Sequence, residues 1–483
     1  MDLLLHRPPF QTLASPTSPL LREPSKGSKQ RVFPLTVSAK ARRRDSPSSG
    51  DREKHKKQPK RELSRILRTE AAVRGVERKA DAAPTLQSSR LWPKSVLESL
   101  DEAISAGRWE SALRIFRLLR KQHWYQPRCQ TYTKLLILLG KHKQPAHASS
   151  LFRTMLSDGL VPTIDVYTSL VGAYGLSGMF DEAFHTVNEM RSVSDCKPDV
   201  YTYTVLVNSC CKLGRFDLID TVLTEMSYYG IECSVVTYNA IIDGYGKAGM
   251  LEKMEGALSD MVESGSCLPD VYTLNSIVWA YGNKGRIDEM ERWYEEFQHM
   301  GVEPDIKTFN ILIRSYGKVG MYVKMGSVLE FMKRRFFSPT IVTFNIIIET
   351  FGKAGNIGKM EHFFELMKSR GMKPNSVTYC SLVSGYSKAA LLNKIPSILR
   401  QVENSDLVPD TAFFNCIISA YGHAGELKLM EDMFLVMKEK QCKPDSITFA
   451  SMAQAYNSQG LIDIAQELEN EMLKKEDKIQ KLV

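Results

Sequence analysis

VVTYNAIIDGYGKAG at Val235–Gly249 decides the fold, because the chain repeats it as IKTFNILIRSYGKVG at Ile306–Gly320 and IVTFNIIIETFGKAG at Ile341–Gly355. Each copy closes on a Gly-x-x-Pro-Asp-like turn. Aligned on that phrase, residues 129–480 divide into ten units: 129–163, 164–199, 200–234, 235–270, 271–305, 306–340, 341–375, 376–410, 411–445 and 446–480. Eight of them are 35 residues long, and 164–199 and 235–270 have 36. The closing prolines keep the same step (Pro162, Pro198, Pro269, Pro304, Pro339, Pro374, Pro409, Pro444), with Cys233 in that slot of unit 200–234. A fixed period of this length marks an array, whose units contact their neighbours and need no single large core.

Inside a unit the apolar spacing is helical. Tyr238, Ile241, Ile242 and Tyr245 follow i, i+3, i+4, i+7, one face of a helix. Thr237 stands where an N-cap would, and Thr131, Thr202, Thr273, Thr308, Thr343, Thr378 and Thr448 fill the same slot. Gly246 and Gly249 are expected to break this first helix. A second stripe runs Leu251, Met254, Leu258, Met261 and Val262, until Gly265 stops it and Pro269 prevents its continuation. The methionine at the Met261 slot returns as Met155, Met190, Met226, Met332, Met367, Met437 and Met472, which reads as packing between units. In unit 376–410, Asn393 as a cap would put Pro396 in the first turn, where its missing amide costs nothing. Each unit is thus two antiparallel helices. Stacking buries their apolar faces, and a small rotation per unit builds a superhelix with first helices on its concave side and second helices on its convex side. Ahead of the array, Val96, Leu97, Leu100 and Ile104, then Trp109, Ala112, Leu113, Phe116 and Leu119, form two further stripes. They predict a degenerate capping pair at 92–128, ending at Pro127-Arg128.

Charge is unevenly spread. Residues 1–80 carry 20 Lys and Arg against 8 Asp and Glu, while residues 81–483 carry 44 against 47. The formal charge of +9 therefore belongs to the N-terminal segment, and the array is close to neutral. Residues 1–39 are rich in Ser, Thr, Pro and Leu and poor in acids, the composition of an organellar transit peptide. Pro8, Pro9, Pro16 and Pro19 disfavour the amphipathic helix of a mitochondrial signal, so a chloroplast address is expected, with the mitochondrion as alternative. Residues 40–91, with Arg42-Arg43-Arg44 and the run Lys54 to Arg61, read as a disordered basic linker that could also hold RNA phosphates loosely. No apolar run is long enough to cross a bilayer. The nine cysteines have neither CxxC nor zinc-site spacing, and so read as reduced thiols; Cys210–Cys211 is a reactive pair or a plain pair of helix residues.

The V-x-T-Y/F-N, Y-G-K-A-G and G-x-x-P-D signatures, ten units in register, resemble plain P-type pentatricopeptide repeats of plant organellar RNA-binding proteins. A tetratricopeptide array is excluded by its period of about 34 and its missing Trp/Leu-Gly/Tyr signature. The resemblance implies an all-α fold, a right-handed superhelical α-solenoid of stacked helix-turn-helix repeats. It also implies one RNA base per unit, read by the residue after the first-helix aromatic together with the unit's last residue. Those pairs are Thr133 with Thr163, Thr168 with Asp199, Thr204 with Ser234, Asn239 with Asp270, Asn275 with Asp305, Asn310 with Thr340, Asn345 with Asn375, Cys380 with Asp410, and Asn415 with Asp445. The last unit offers Ala450 and Gln480, and Cys380 and Ala450 depart from the pattern.

The chemistry suits the role. Asn offers an amide donor and acceptor to a base edge, and Thr one adaptable hydroxyl. The flanking Val236, Tyr272, Val342, Val377 and Ile447 could pack on base faces, Tyr201 could stack, and Lys307 could reach phosphate. Two structural readings compete: Asn as a turn or capping residue, and the closing Asp as the cap of the next helix. By the family's pairing rules Thr/Asp favours G, Asn/Asp favours U and Asn/Asn a pyrimidine, so the RNA partner is expected to carry a core like G-(A/G)-U-U-Y-Y-x-U. No catalytic residue, cofactor or metal is required. An enzyme is not expected: His123, His142 and His147 lack carboxylate or Cys partners at ligand spacing, and no appended nuclease or deaminase domain is expected. A helical scaffold for protein partners is the alternative function.

Overall fold

The computed structural model describes residues 93–122, 125–193, 195–468 and 470. The expected transit peptide and basic linker, His123, Met472 and Gln480 lie outside them. Every regular element among the described residues is α-helical except one 3-10 turn, Leu392–Lys394. First helices begin at Cys129, Ile164, Val200, Val235, Val271, Ile306, Ile341, Ser376, Thr411 and Ser446. Each of those from Cys129 to Thr411 is followed by a second helix.

Two compact units are present, one through Thr237 and the other from Tyr238. In the first, Cys129–Lys141 packs on Ile164–Ser177, and that helix on Val200–Leu213. The helices Pro93–Ser105 and Trp109–Arg120 join the same core: Leu100, Ala112, Phe116 and Leu119 are buried in one cluster with Tyr132, Leu135 and Leu139. In the second unit, first helices from Val271–Asn283 to Ser446–Ser458 pack each on the next. In both units the first helices form one layer, and outside repeat 235–270 each second helix lies against the first helix of its own repeat. Between these layers Met155, Met190, Met226, Met261, Met332, Met367 and Met437 are buried, flexible side chains filling irregular gaps.

The glycine of the Y-G-K-A-G phrase does not break the helix. Gly246 lies inside Val235–Ala248, and a Cβ there would stand 3.1 Å from that of Ala280 in the next first helix. The missing side chain lets two helices approach. Gly249 is the true stop, left-handed at φ 74°. Phe336 (φ 61°) and Gln441 (φ 59°) take the left-handed position that ends a second helix and is glycine at Gly301 and Gly371.

Three other expectations are corrected. Leu97 and Val262, assigned to apolar stripes, are exposed, because each falls at the stripe's margin. Asn393 does not cap the second helix of unit 376–410. It sits in the 3-10 turn, Lys394 takes the cap position, and Pro396 falls in the first turn of Ile395–Glu403. The threonines are not N-caps, for the reason given below.

Neighbouring repeats are also tied by tyrosine–glutamate bonds. The hydroxyls of Tyr316, Tyr386 and Tyr456 donate to Glu291 (2.7 Å), Glu361 (2.7 Å) and Glu431 (2.5 Å) on the preceding second helix, and Tyr281 donates likewise to Glu255. Lys324 and Lys394 add their charge to Glu291 (2.6 Å) and Glu361 (2.5 Å). The Lys394 ammonium, outweighing partial burial, and the Tyr386 hydroxyl hold the Glu361 carboxyl below the usual range.

Candidate nucleic-acid interface

From repeat 129–163 to repeat 411–445, the closing residue is the N-cap of the next first helix. Asp199, Asp270, Asp305, Thr340, Asn375, Asp410 and Asp445 have extended backbones and accept the amide of the residue three positions on. The threonine expected as N-cap occupies that third helical position instead. Its hydroxyl reaches back to the N-cap amide, completing a capping box at Asp270–Thr273, Asp305–Thr308, Thr340–Thr343, Asn375–Thr378 and Asp445–Thr448. Ser234 makes the same exchange with Thr237: its hydroxyl accepts the Thr237 amide at 3.2 Å. Thr163 holds the cap position of Ile164–Ser177 without a side-chain bond.

The box joins the predicted reader of the preceding repeat. Asn239 Nδ2 donates to Asp270 Oδ1 (3.1 Å), Asn275 to Asp305 (3.3 Å), Asn345 to Asn375 (3.2 Å) and Asn415 to Asp445 (2.9 Å). The two halves of these four pairs, 30 or 31 residues apart in sequence, are thus brought together. Behind them the threonine donates to the reader's oxygen: Thr273 to Asn239 (2.6 Å), Thr343 to Asn310 (2.8 Å), Thr378 to Asn345 (2.7 Å) and Thr448 to Asn415 (2.6 Å). Thr168 and Thr204 meet the hydroxyls of Thr202 (2.8 Å) and Thr237 (2.7 Å) in the same place.

Burial raises the Asp270 carboxyl, but the Thr273 amide, the Asn239 amide and the Thr273 hydroxyl outweigh it and hold the group below the ordinary carboxylate range. Bonds from Thr308 and Asn275, and from Thr448 and Asn415, depress Asp305 and Asp445 in the same way.

Other predicted readers are placed differently. Thr133 turns back to the Cys129 carbonyl (3.1 Å). Cys380 faces Cys416, whose thiol donates to the Cys380 carbonyl at 3.4 Å. Ala450 is exposed and offers no hydrogen bond. Beside the readers, Tyr201, Val236, Tyr272, Val342, Val377 and Ile447 are exposed apolar side chains at one helical position. Lys307 shares that position and holds its ammonium 5.0 Å from the Tyr272 ring centre. His142 is exposed and His147 packs on Trp109 at 5.2 Å. Burial pushes the Cys210 thiol up to about 11, while Cys211 is half-buried.

One set of residues in each unit was missed. Lys141 and Lys212 in the first unit, and Lys247, Lys318, Lys353 and Lys388 in the second, are exposed at the last turn of their first helices. The signal lay in the lysine of Y-G-K-A-G. A cation there suits the negative end of the helix, and Lys318 also reaches the Asn283 carbonyl at 2.5 Å.

The PPR repeat family matches residues 162–212, 233–278, 269–318, 339–388 and 409–458, PPR repeats match 201–231 and 307–335, and a pentatricopeptide repeat domain matches 125–177. The chain belongs to the pentatricopeptide repeat family. Pentatricopeptide repeat-containing protein At3g53170 of Arabidopsis thaliana is 61% identical over 250 residues, 52% of this chain and 55% of that protein. At5g48730, chloroplastic, of the same plant is 44% identical over 260 residues, covering 54% of this chain and 50% of that one. The chain thus spans about half the length of the curated pentatricopeptide repeat proteins it matches. Among solved structures, the pentatricopeptide repeat protein PPR10 in complex with an 18-nt psaJ RNA element superposes with a TM-score of 0.50 at 21% identity, covering 79% of this chain and 61% of that one. At that identity the likeness speaks for the fold, an all-α solenoid of helical pairs.

Proposed function

We propose that this chain is a sequence-specific single-stranded RNA-binding protein of plastids. It acts by occupying its site on a transcript, and so serves RNA stabilisation, processing, splicing or translation. The observation that carries the reading is the hydrogen-bonded polar pair at the start of successive first helices. A scaffold for proteins has no need of an Asn or Thr paired with Asp, Asn, Ser or Thr at two fixed slots. The bonds also account for the expected preference. In Asn239–Asp270 the inward bonds leave one Nδ2–H and the second carboxylate oxygen, a donor beside an acceptor, which matches the O4 and N3–H of uracil. The exposed apolar residues beside the readers supply surfaces for base faces, and the lysine rows supply cations for phosphates.

The proposed readers are those predicted above, from Thr133–Thr163 to Asn415–Asp445, within ten repeats at 129–480 behind a capping pair at 92–128. A plastid address at 1–39 accords with several relatives named chloroplastic. The test is titration of the purified protein with RNA carrying G-(A/G)-U-U-Y-Y-x-U and with a scrambled RNA of the same composition. Tighter binding of the first is expected, and equal affinity overturns the reading in favour of a protein scaffold. Asn239→Thr is expected to move the preference at one base from U toward G, and an unchanged preference refutes the register.

A further inference from the structure

An amide side chain can turn over without changing its shape, exchanging a donor for an acceptor, so the bonds behind it decide which end meets a ligand. Here those bonds come from a residue that would not touch RNA. Thr273, Thr343, Thr378 and Thr448 are fully buried, and each hydroxyl donates to the oxygen of the preceding repeat's asparagine at 2.6–2.8 Å. Reversing Asn239 would turn its nitrogen to the Thr273 hydroxyl and its oxygen to Asp270 Oδ1. We propose that this third-position threonine is a positioning residue for base reading: it holds the carbonyl end of the reading asparagine inward, so that the N–H end alone faces the RNA.

Two observations make the device specific. Where the third position is not threonine, the preceding reader is not held. Val166 follows Thr133, which bonds its own helix, and Phe413 follows Cys380. Within the threonine-bearing repeats, Thr308 completes the same capping box with Asp305 but makes no bond to Asn275, whose Oδ1 is buried without a partner. Repeat 271–305 therefore carries the pair of repeat 235–270 without its clamp. It is expected to distinguish U from C less sharply, because its free oxygen can turn outward and accept from the cytosine amino group.

The inference rests on the RNA-reading proposal, and the experiment separates their failures. The full chain is titrated with RNAs carrying each base in turn opposite repeat 235–270. The unaltered protein and Thr273→Ser, which keeps the hydroxyl, are expected to favour U over C by about tenfold, the scale of one good bidentate base contact. Thr273→Val is expected to bring U and C to near parity. Thr308→Val loses the same cap bond to its own N-cap amide (3.1 Å in both boxes) and is the structural control. It should lower the thermal midpoint through the lost cap bond while leaving the preference at its base unchanged. A retained U:C ratio in Thr273→Val, or an equal shift in Thr308→Val, overturns the proposal. Side-chain amide exchange of Asn239, followed by NMR without RNA, gives a second readout. Exchange should quicken in Thr273→Val and recover in Thr273→Ser, and unchanged exchange refutes the clamp. A protein that shows the exchange effect but no base preference refutes the RNA reading alone.

Discussion

At the scale of single residues, the closing Asp does two jobs with two oxygens. In Asp270 one oxygen takes the Thr273 and Asn239 amides, and the other is the one proposed to meet the RNA base. Its acidity follows from those donors. Asp270, Asp305 and Asp445 are held below the usual carboxylate range in the folded chain. Their contribution to stability is therefore complete above the unfolded value of about 4 and is lost as pH falls through the lower folded value. The thermal midpoint, followed by circular dichroism, is expected to drop on acidification through that window. A variant carrying Asn at all three positions, which still caps but cannot titrate, should lose less. An identical acid response in both proteins contradicts this account.

At the scale of the helical elements, two backbone positions make opposite predictions. Phe336 is left-handed and 95% exposed, so its ring contributes little burial and its Cβ is a steric cost of about 1 kcal/mol. Phe336→Gly is expected to stabilise the fold by up to that amount, read as a higher midpoint of urea unfolding. Gly140 is inside a helix, where a Cβ would stand 2.9 Å from the Ala173 Cα. Gly140→Ala should gain about 1 kcal/mol of helix propensity and lose about 1–3 kcal/mol to overpacking against backbone, for a net loss of stability. The helices themselves were legible because period, apolar spacing and terminal glycines are local properties of the chain. Less legible was what depends on a partner one repeat away. Thr273 near a helix start fits an N-cap as well as a third position until Asp270 is seen in front of it. The Tyr316–Glu291 bond recurs at Tyr386–Glu361 and Tyr456–Glu431, but its two ends stand 25 residues apart in different repeats. Sequence spacing chose the reading slots but could not show that most Asn and Thr side chains there are buried, with little more than one edge left to present.

At the scale of the whole molecule, charge and information are separated along the chain. The basic excess lies in residues 1–80, whereas the proposed readers lie in a near-neutral array whose lysines are balanced by acids. Raising salt from about 50 to 200 mM should weaken RNA binding overall by counterion release. The ratio of affinities for matched and scrambled RNA should stay constant, since hydrogen bonds to base edges release no counterions. A ratio that collapses with salt would place the specificity in phosphate contacts instead. The capping role of the closing slot has one more consequence. From Thr163 to Asp445, each of the nine predicted closing readers is Asp, Asn, Ser or Thr, the side chains that best begin a helix. The vocabulary in which such a repeat can spell a preference is thus restricted to words its own folding can pronounce. Under the proposed reading, rewriting a base through its closing slot also edits the start of the next helix, so a change of RNA preference made there is confined to spellings that still fold.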